Sequence, residues 1–283
     1  MNNPPPPPPL AALDEGRRLL AQPLLPLVRL LNLLYLTGPF GTIEELLTQL
    51  SEPVETAGLR YPDPRAVLNP LLPQLRELER LKNNDLSARE ICDEEGSPLS
   101  PLEALELWVS QAVLTRELEA LNSLLCAPCR CTLCCTGPSP EMRQEFFEIP
   151  LTAPETRLFP LPVIEPLAPP PMQTQQGPAI YHWRSGWSLI LPKASTCPQL
   201  ATDGRCRIYR ERPQVCRRPQ IFAYVIEKIN DGERGRETTL SRFRRRNNLL
   251  AVWDCPYVRA LQEEIARFAE LSGLEPVFRS NKG

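Results

Sequence analysis

Residues Cys126–Cys135 read C-A-P-C-R-C-T-L-C-C, placing five cysteines (126, 129, 131, 134, 135) within ten positions. A packed core gains nothing from that density, because a buried thiol behaves as a small hydrophobe that Ala or Val would replace. Soft metal accounts for it. Thiolates bind zinc and iron–sulfur clusters, and the two-residue gaps Cys126/Cys129 and Cys131/Cys134 let paired sulfurs converge on one centre from a single turn. The run predicts a metal site and leaves the metal open.

Upstream of the run, Ser100-Pro101-Leu102-Glu103 combines an N-cap, a proline at the first helical position and a capping glutamate. Leu102, Leu105, Val109, Ala112 and Val113 follow at helical spacing, so a helix is predicted to about Leu125, delivering the chain into Cys126 from a rigid end. Further back, residues from Leu10 to about Lys82 are Leu-rich and read as helical. Thr42-Ile43-Glu44-Glu45 is a capping box, Asp63-Pro64 another helix start, and Pro70 and Pro73 are breaks. Met1–Pro9, with six consecutive prolines, reads as a polyproline II tail.

Downstream, Pro150–Pro178 holds nine prolines, so no regular element is expected and the segment reads as an insertion within one metal domain. Ile180–Pro192 reads as a hairpin around Ser185-Gly186, with Trp183 and Trp187 covering the core. Two strands are expected at Ile221–Ile229 and Leu249–Trp253, joined by a loop carrying Arg234, Arg236, Arg242, Arg244, Arg245 and Arg246.

Composition narrows the classes. The 283 residues are 42% hydrophobic, enough for one good core and a small second one, and the net charge of −2 supplies no global field toward nucleic acid or anionic membrane. Proline, at 34 residues, is well above its usual level of roughly 5% and predicts long irregular segments. The N-terminus lacks the basic and apolar regions of a signal peptide, so a reducing, cytoplasmic setting is expected, where cysteine pairs serve as ligands rather than bridges. With His182 the single histidine, any soft-metal site must be almost wholly thiolate. Leu19–Leu36 approaches membrane-spanning length but contains Pro23, Pro26, Arg29 and Asn32, so no membrane span is expected.

A second cysteine set lies in Cys197–Arg218, C-P-Q-L-A-T-D-G-R-C-R-I-Y-R-E-R-P-Q-V-C-R-R, with Cys197, Cys206 and Cys216 spaced by eight and nine residues. A CxxCC element followed by C-P-x-L…D-G-x-C-x-I-Y-x-x-R-P-x-x-C-R resembles the YkgJ-like cysteine-cluster family, described as a zinc- or iron-chelating domain with a CxxCxxCC signature. Cys197, Pro198, Leu200, Asp203, Gly204, Cys206, Ile208, Tyr209, Arg212, Pro213, Cys216 and Arg217 fall on that pattern. The first half departs from it: the strict signature would place a cysteine at 128, where Pro128 stands, so Cys126 or Cys129 takes that role. The resemblance spans roughly residues 126–260. It implies metal binding, by an iron–sulfur cluster or zinc, and no settled activity.

Cys255 precedes Pro256, the first position of a helix whose buried face would be Val258, Leu261, Ile265 and Phe268, ending at Gly273. A helix N-cap favours thiolate, which makes Cys255 a further ligand candidate. Six arginines (205, 207, 210, 212, 217, 218) flank Cys206 and Cys216 and are expected to offset the charge of a four-thiolate centre. Cys134 and Cys135 are adjacent and their side chains should diverge, so two four-thiolate zinc sites, or one four-iron cluster with thiols left over, both fit the count. Cys92 stands alone in an acidic loop and reads as a spare thiol.

The expectation is an α+β protein, mostly helical. It has a proline-rich tail at 1–9, a Leu-rich helical region at 10–95, and an irregular cysteine-rich domain with a few short strands at 100–283. The expected ligands are Cys126, Cys129, Cys131, Cys134, Cys135, Cys197, Cys206, Cys216 and Cys255, holding a 4Fe–4S cluster or zinc as the bound partner. Two other classes stay open: a zinc-stiffened adaptor that binds protein or nucleic acid through the arginine loop, and a redox or protein-modifying enzyme. Similar cysteine clusters occur in flagellin lysine methylase-like proteins, but no methyl-donor site is visible. Tight nucleic-acid binding is not expected, because Phe243 is the sole aromatic among Arg242–Arg246.

Overall fold

A computed structural model describes residues 9–82, 89–129, 131–165, 177–183, 186–229 and 241–280. The N-terminal part carries α1 (Leu10–Leu20), α2 (Leu25–Thr37), α3 (Ile43–Gln49), β1 (Val54–Thr56), β2 (Leu59–Tyr61), α4 (Pro64–Leu68), α5 (Leu72–Leu75), α6 (Glu79–Lys82) and β3 (Arg89–Cys92). The long α7 (Pro101–Cys129) follows, then β4 (Phe146–Leu151), β5 (Val163–Ile164), β6 (Ala179–Trp183) and β7 (Gly186–Pro192). The chain continues through β8 (Ile221–Lys228), β9 (Ser241–Val252), α8 (Pro256–Ala260), α9 (Gln262–Leu271) and β10 (Glu275–Arg279).

The helix starts behave as their capping chemistry requires. Glu45 N–H donates to Thr42 Oγ1 at 3.1 Å, Ala66 N–H to Asp63 Oδ1 at 2.9 Å, and Glu103 N–H to Ser100 Oγ at 3.3 Å. Ser100 N–H donates back to Glu103 Oε2 at 3.1 Å, completing the box that launches α7.

The expectation of a mostly helical chain needs correcting: 44% of the structure is helix and 24% strand, a mixed α+β protein. Three misreadings contribute to the difference, beside the unexpected strands β3 and β10. Val54–Tyr61 is a hairpin rather than helix, turning at Ala57 and Gly58 with φ of 49° and 72°. Prolines in 150–178 did not abolish structure. Lys193 N–H donates to Glu145 O, which sets the pairing so that Pro150 faces away from β7, where a missing N–H costs nothing. Arg242–Arg246 form a strand, not a loop, and two of their cations meet carboxylates on neighbouring strands: Arg242 pairs with Glu90 at 3.3 Å and Arg246 with Glu227 at 2.7 Å. Met1–Pro8, the greater part of the proline run 166–176, Ser185, Arg234 and Arg236 lie outside the described residues.

β9 organises one sheet. β8 pairs antiparallel along one edge, while β3 and β10 pair parallel, end to end, along the other. The outer edge of β8 is covered by α7 through two amides eleven residues apart, three helical turns on one face. Gln111 Nε2 donates to Ala223 O at 2.9 Å and its Oε1 accepts from Val225 N–H at 2.8 Å. Asn122 Nδ2 donates to Ile221 O at 2.7 Å and its Oδ1 accepts from Ile221 N–H at 3.2 Å. A second sheet has the order β4-β7-β6-β5.

The main core runs from Leu13, Leu25 and Leu31 through Val113 and Leu121 to Leu261 and Phe268, so buried packing crosses the expected boundary near residues 95–100. Leu151, Phe159, Ile180, Leu189 and Leu191 form a separate small core under the second sheet. Leu10–Thr37 is long and apolar enough to cross a membrane, but it breaks into α1 and α2 and half of its apolar window is buried in the protein.

Candidate metal centre

The cysteines gather where the two cores meet. Cys129 and Cys255 are buried in the main core, with Cys131 and Leu133 packed against it, whereas Cys197 and Ile208 pack against the small core. α7 extends one turn past its expected end, so Cys126 and Cys129 occupy its last turn, despite Pro128. Thr132 then takes a left-handed conformation, φ 55°, which a β-branched residue adopts only at a cost. Its carbonyl accepts from Cys135 N–H at 2.7 Å, winding Leu133–Cys135 into a 3-10 turn that aims Cys134 and Cys135 back toward the helix end.

The two cysteine segments, far apart in sequence, are stitched together by backbone hydrogen bonds. Cys197 N–H donates to Cys135 O at 2.8 Å, Gly137 N–H to Ser195 O at 2.9 Å, and Ala194 N–H to Pro138 O at 2.9 Å. Gly137 is required here: a Cβ would lie 2.0 Å from Pro192 O. Cys206 bridges to Leu200, and Cys216 sits in the 3-10 turn Gln214–Arg217.

Three sets of interacting thiols result. In the first, Cys131 is lowered by hydrogen bonds from Cys129 and then Cys255, while Cys129 is raised to about 12, chiefly by Cys131. Cys255 takes the N-cap position of α8, and Cys129, then Cys131 and burial, raise its thiol. In the second, Cys134 and burial raise Cys126. Cys126 lowers Cys134, but Cys135, with its sulfur 3.8 Å away, and burial outweigh that and raise it well above the usual thiol range. In the third, burial and then Cys197 and Cys206 raise Cys216 to about 12, and burial raises Cys197.

All ten cysteines are free thiols. Among the described residues, no three His, Cys, Asp or Glu side chains converge closely enough to hold a metal ion as they stand. The donor chemistry nonetheless suits a soft metal: nine free thiols lie in three sets around the end of α7 and the contact that joins Cys135 to Cys197. Cys92 lies apart on β3, buried, with its sulfur 3.7 Å from Arg242 Nη2.

Of the six flanking arginines, Arg212 is the one built into the thiol region. It is buried, stacks 4.1 Å over Tyr209, donates to Ser123 Oγ at 2.6 Å, and partly offsets the rise of both Cys126 and Cys216. Tyr209 is fixed in turn by donating to Ser123 O at 2.5 Å. Arg205 instead pairs with Asp203 and Arg218 with Glu119. Sequence reading missed Ser123, Asn122 and Tyr257. The clue was available: Asn122 and Ser123 are polar residues in the otherwise apolar stretch just before Cys126.

The fold is that of a mixed α+β protein, and Cys131, Cys134 and Cys216 line the cleft between its two larger sheets. No family model, curated protein or solved structure matches this chain.

Proposed function

We propose that this chain is a metal-binding protein whose thiolates, drawn from Cys126–Cys135, Cys197–Cys216 and Cys255, hold a 4Fe–4S cluster or zinc in a reducing, cytoplasmic setting. The observation that carries the reading is the Cys197 N–H to Cys135 O hydrogen bond of 2.8 Å, which ties two cysteine-rich segments at one point. Free thiols at this density need either reduction or metal to avoid adventitious bridging. Arg212 supplies one compensating charge for an anionic thiolate centre. Two of the four arginines of β9 are held by carboxylates, Arg242 by Glu90 and Arg246 by Glu227, which lowers the positive charge that this strand offers to nucleic acid.

Elemental analysis and a visible spectrum of anaerobically purified protein test the proposal. A cluster gives brown protein with broad absorbance on the order of 400 nm, and zinc gives colourless protein with stoichiometric metal. Protein that is metal-free after anaerobic purification, and that takes up neither iron with sulfide nor zinc, overturns it.

A further inference from the structure

A cleft of ≈ 2850 Å³ opens between the two sheets, and one thiol of each set, Cys131, Cys134 and Cys216, lines it. Its volume exceeds the roughly 300–1,000 Å³ of small-molecule pockets, so a single small metabolite would leave most of it filled with water. One wall is Phe147–Thr152, consecutive residues of β4 and its exit. Side chains alternate between the faces of a strand, so an unbroken run at a wall means that the strand presents its edge.

That edge is the one turned away from β7, and it pairs with no strand among the described residues. The Lys193 N–H to Glu145 O bond makes 145, 147, 149 and 151 the positions that bond β7, and leaves the N–H and C=O of Glu148 and the C=O of Pro150 pointing outward. Across the cleft, the corresponding edge of β8 is already closed by the amides of Gln111 and Asn122. The opposite wall offers aromatic side chains instead: Phe222, and Tyr224 and Trp253, each 36% exposed. Backbone hydrogen bonds on one wall and apolar side-chain contacts on the other are what an added β-strand requires. The lining carries five carboxylates, Glu148 and Glu155 among them, against four cations, and one of each is already held, Glu227 by Arg246 and Arg218 by Glu119. This balance repels a phosphate backbone and suits a neutral or basic polypeptide.

We propose that the cleft binds an extended polypeptide segment of another protein, which adds to the free edge of β4 and lies across Cys131, Cys134 and Cys216. The strand edge binds the segment whether or not the thiols carry metal, so this inference and the metal reading stand or fall separately.

The test selects phage-displayed random dodecapeptides against the full chain, purified anaerobically, and repeats the binding measurements after chelation. Selected peptides are synthesised in two further forms, N-methylated on one or the other alternate set of amides. Methylation of one set should weaken binding at least tenfold and methylation of the other should be tolerated, because only alternate amides face β4. A benzophenone side chain replacing Tyr224 should crosslink to the bound peptide. Failure to enrich any sequence over an unrelated control protein, equal binding by both methylated forms, or no crosslink at position 224 overturns the proposal. Binding that survives chelation supports the strand-edge proposal, and the metal reading is decided separately by metal content and by uptake of iron with sulfide or of zinc.

Discussion

The buried hydroxyl of Tyr257 donates to Asn122 Oδ1 at 2.7 Å, joining α8 to α7 one turn before Cys126 and two residues after Cys255. The same Asn122 amide closes the edge of β8 at Ile221. One side chain therefore fixes the helix end, the main sheet and the Cys255 loop relative to one another, and the set Cys129, Cys131 and Cys255 depends on it.

Tyr257→Phe should cost about 1–2 kcal/mol, since Asn122 Oδ1 keeps the Ile221 N–H as a partner. Asn122→Ala should cost about 3 kcal/mol or more, because it orphans the Tyr257 hydroxyl together with the N–H and C=O of Ile221. Denaturant unfolding of both variants measures the difference. Equal costs would mean that the amide does not bridge the three elements.

Gly137→Ala should separate the cysteine segments. The added Cβ meets backbone, Pro192 O at 2.0 Å, so the strand-like contact carrying the Cys197–Cys135 hydrogen bond must move. A loss on the order of 1–3 kcal/mol is expected, with lowered metal content. A variant with wild-type melting temperature and metal content would show that the close approach is dispensable.

Glu117 should make stability fall as pH rises. Its carboxyl group is buried and accepts from Leu24 N–H at 3.0 Å while Oε2 has no partner among the described residues, and burial raises its pKa from 4.5 to about 8. Between those values the folded chain keeps a proton that the unfolded chain has released, so the contribution is complete below 4.5 and lost on passing 8. Glu117→Gln keeps the acceptor and removes the charge. It should raise the melting temperature relative to wild type above pH 8 and make little difference at pH 4. A wild-type-to-variant gap that does not change with pH would contradict this.

Local chemistry was legible in the sequence wherever it acted within one turn. The box at Ser100, the N-cap at Thr42, whose Glu45 reaches back to Gly41 N–H, and the proline start at Asp63 all formed, because a cap needs only a few neighbouring residues. Apart from the local hairpin Val54–Tyr61, the strands that were missed depend on partners elsewhere. Arg242–Arg246 reads as a basic loop until Glu90 and Glu227 are seen beside it, and β4 looks broken by Pro150 until its edge position is known. The ligand candidates were visible as a cysteine density, but their sorting into sets was not. It follows from the left-handed turn at Thr132 and from the contact at Gly137, both set by tertiary packing.

The central claim, that the two cysteine segments and Cys255 form one thiolate metal region, is tested most directly by counting metal per chain in anaerobically purified Cys206→Ala, Cys216→Ala and Cys92→Ala beside wild type. Cys206→Ala and Cys216→Ala should lose metal and melt at lower temperature, whereas Cys92→Ala, remote on β3, should keep its full complement. Full metal occupancy and wild-type melting in both Cys206→Ala and Cys216→Ala would contradict the account.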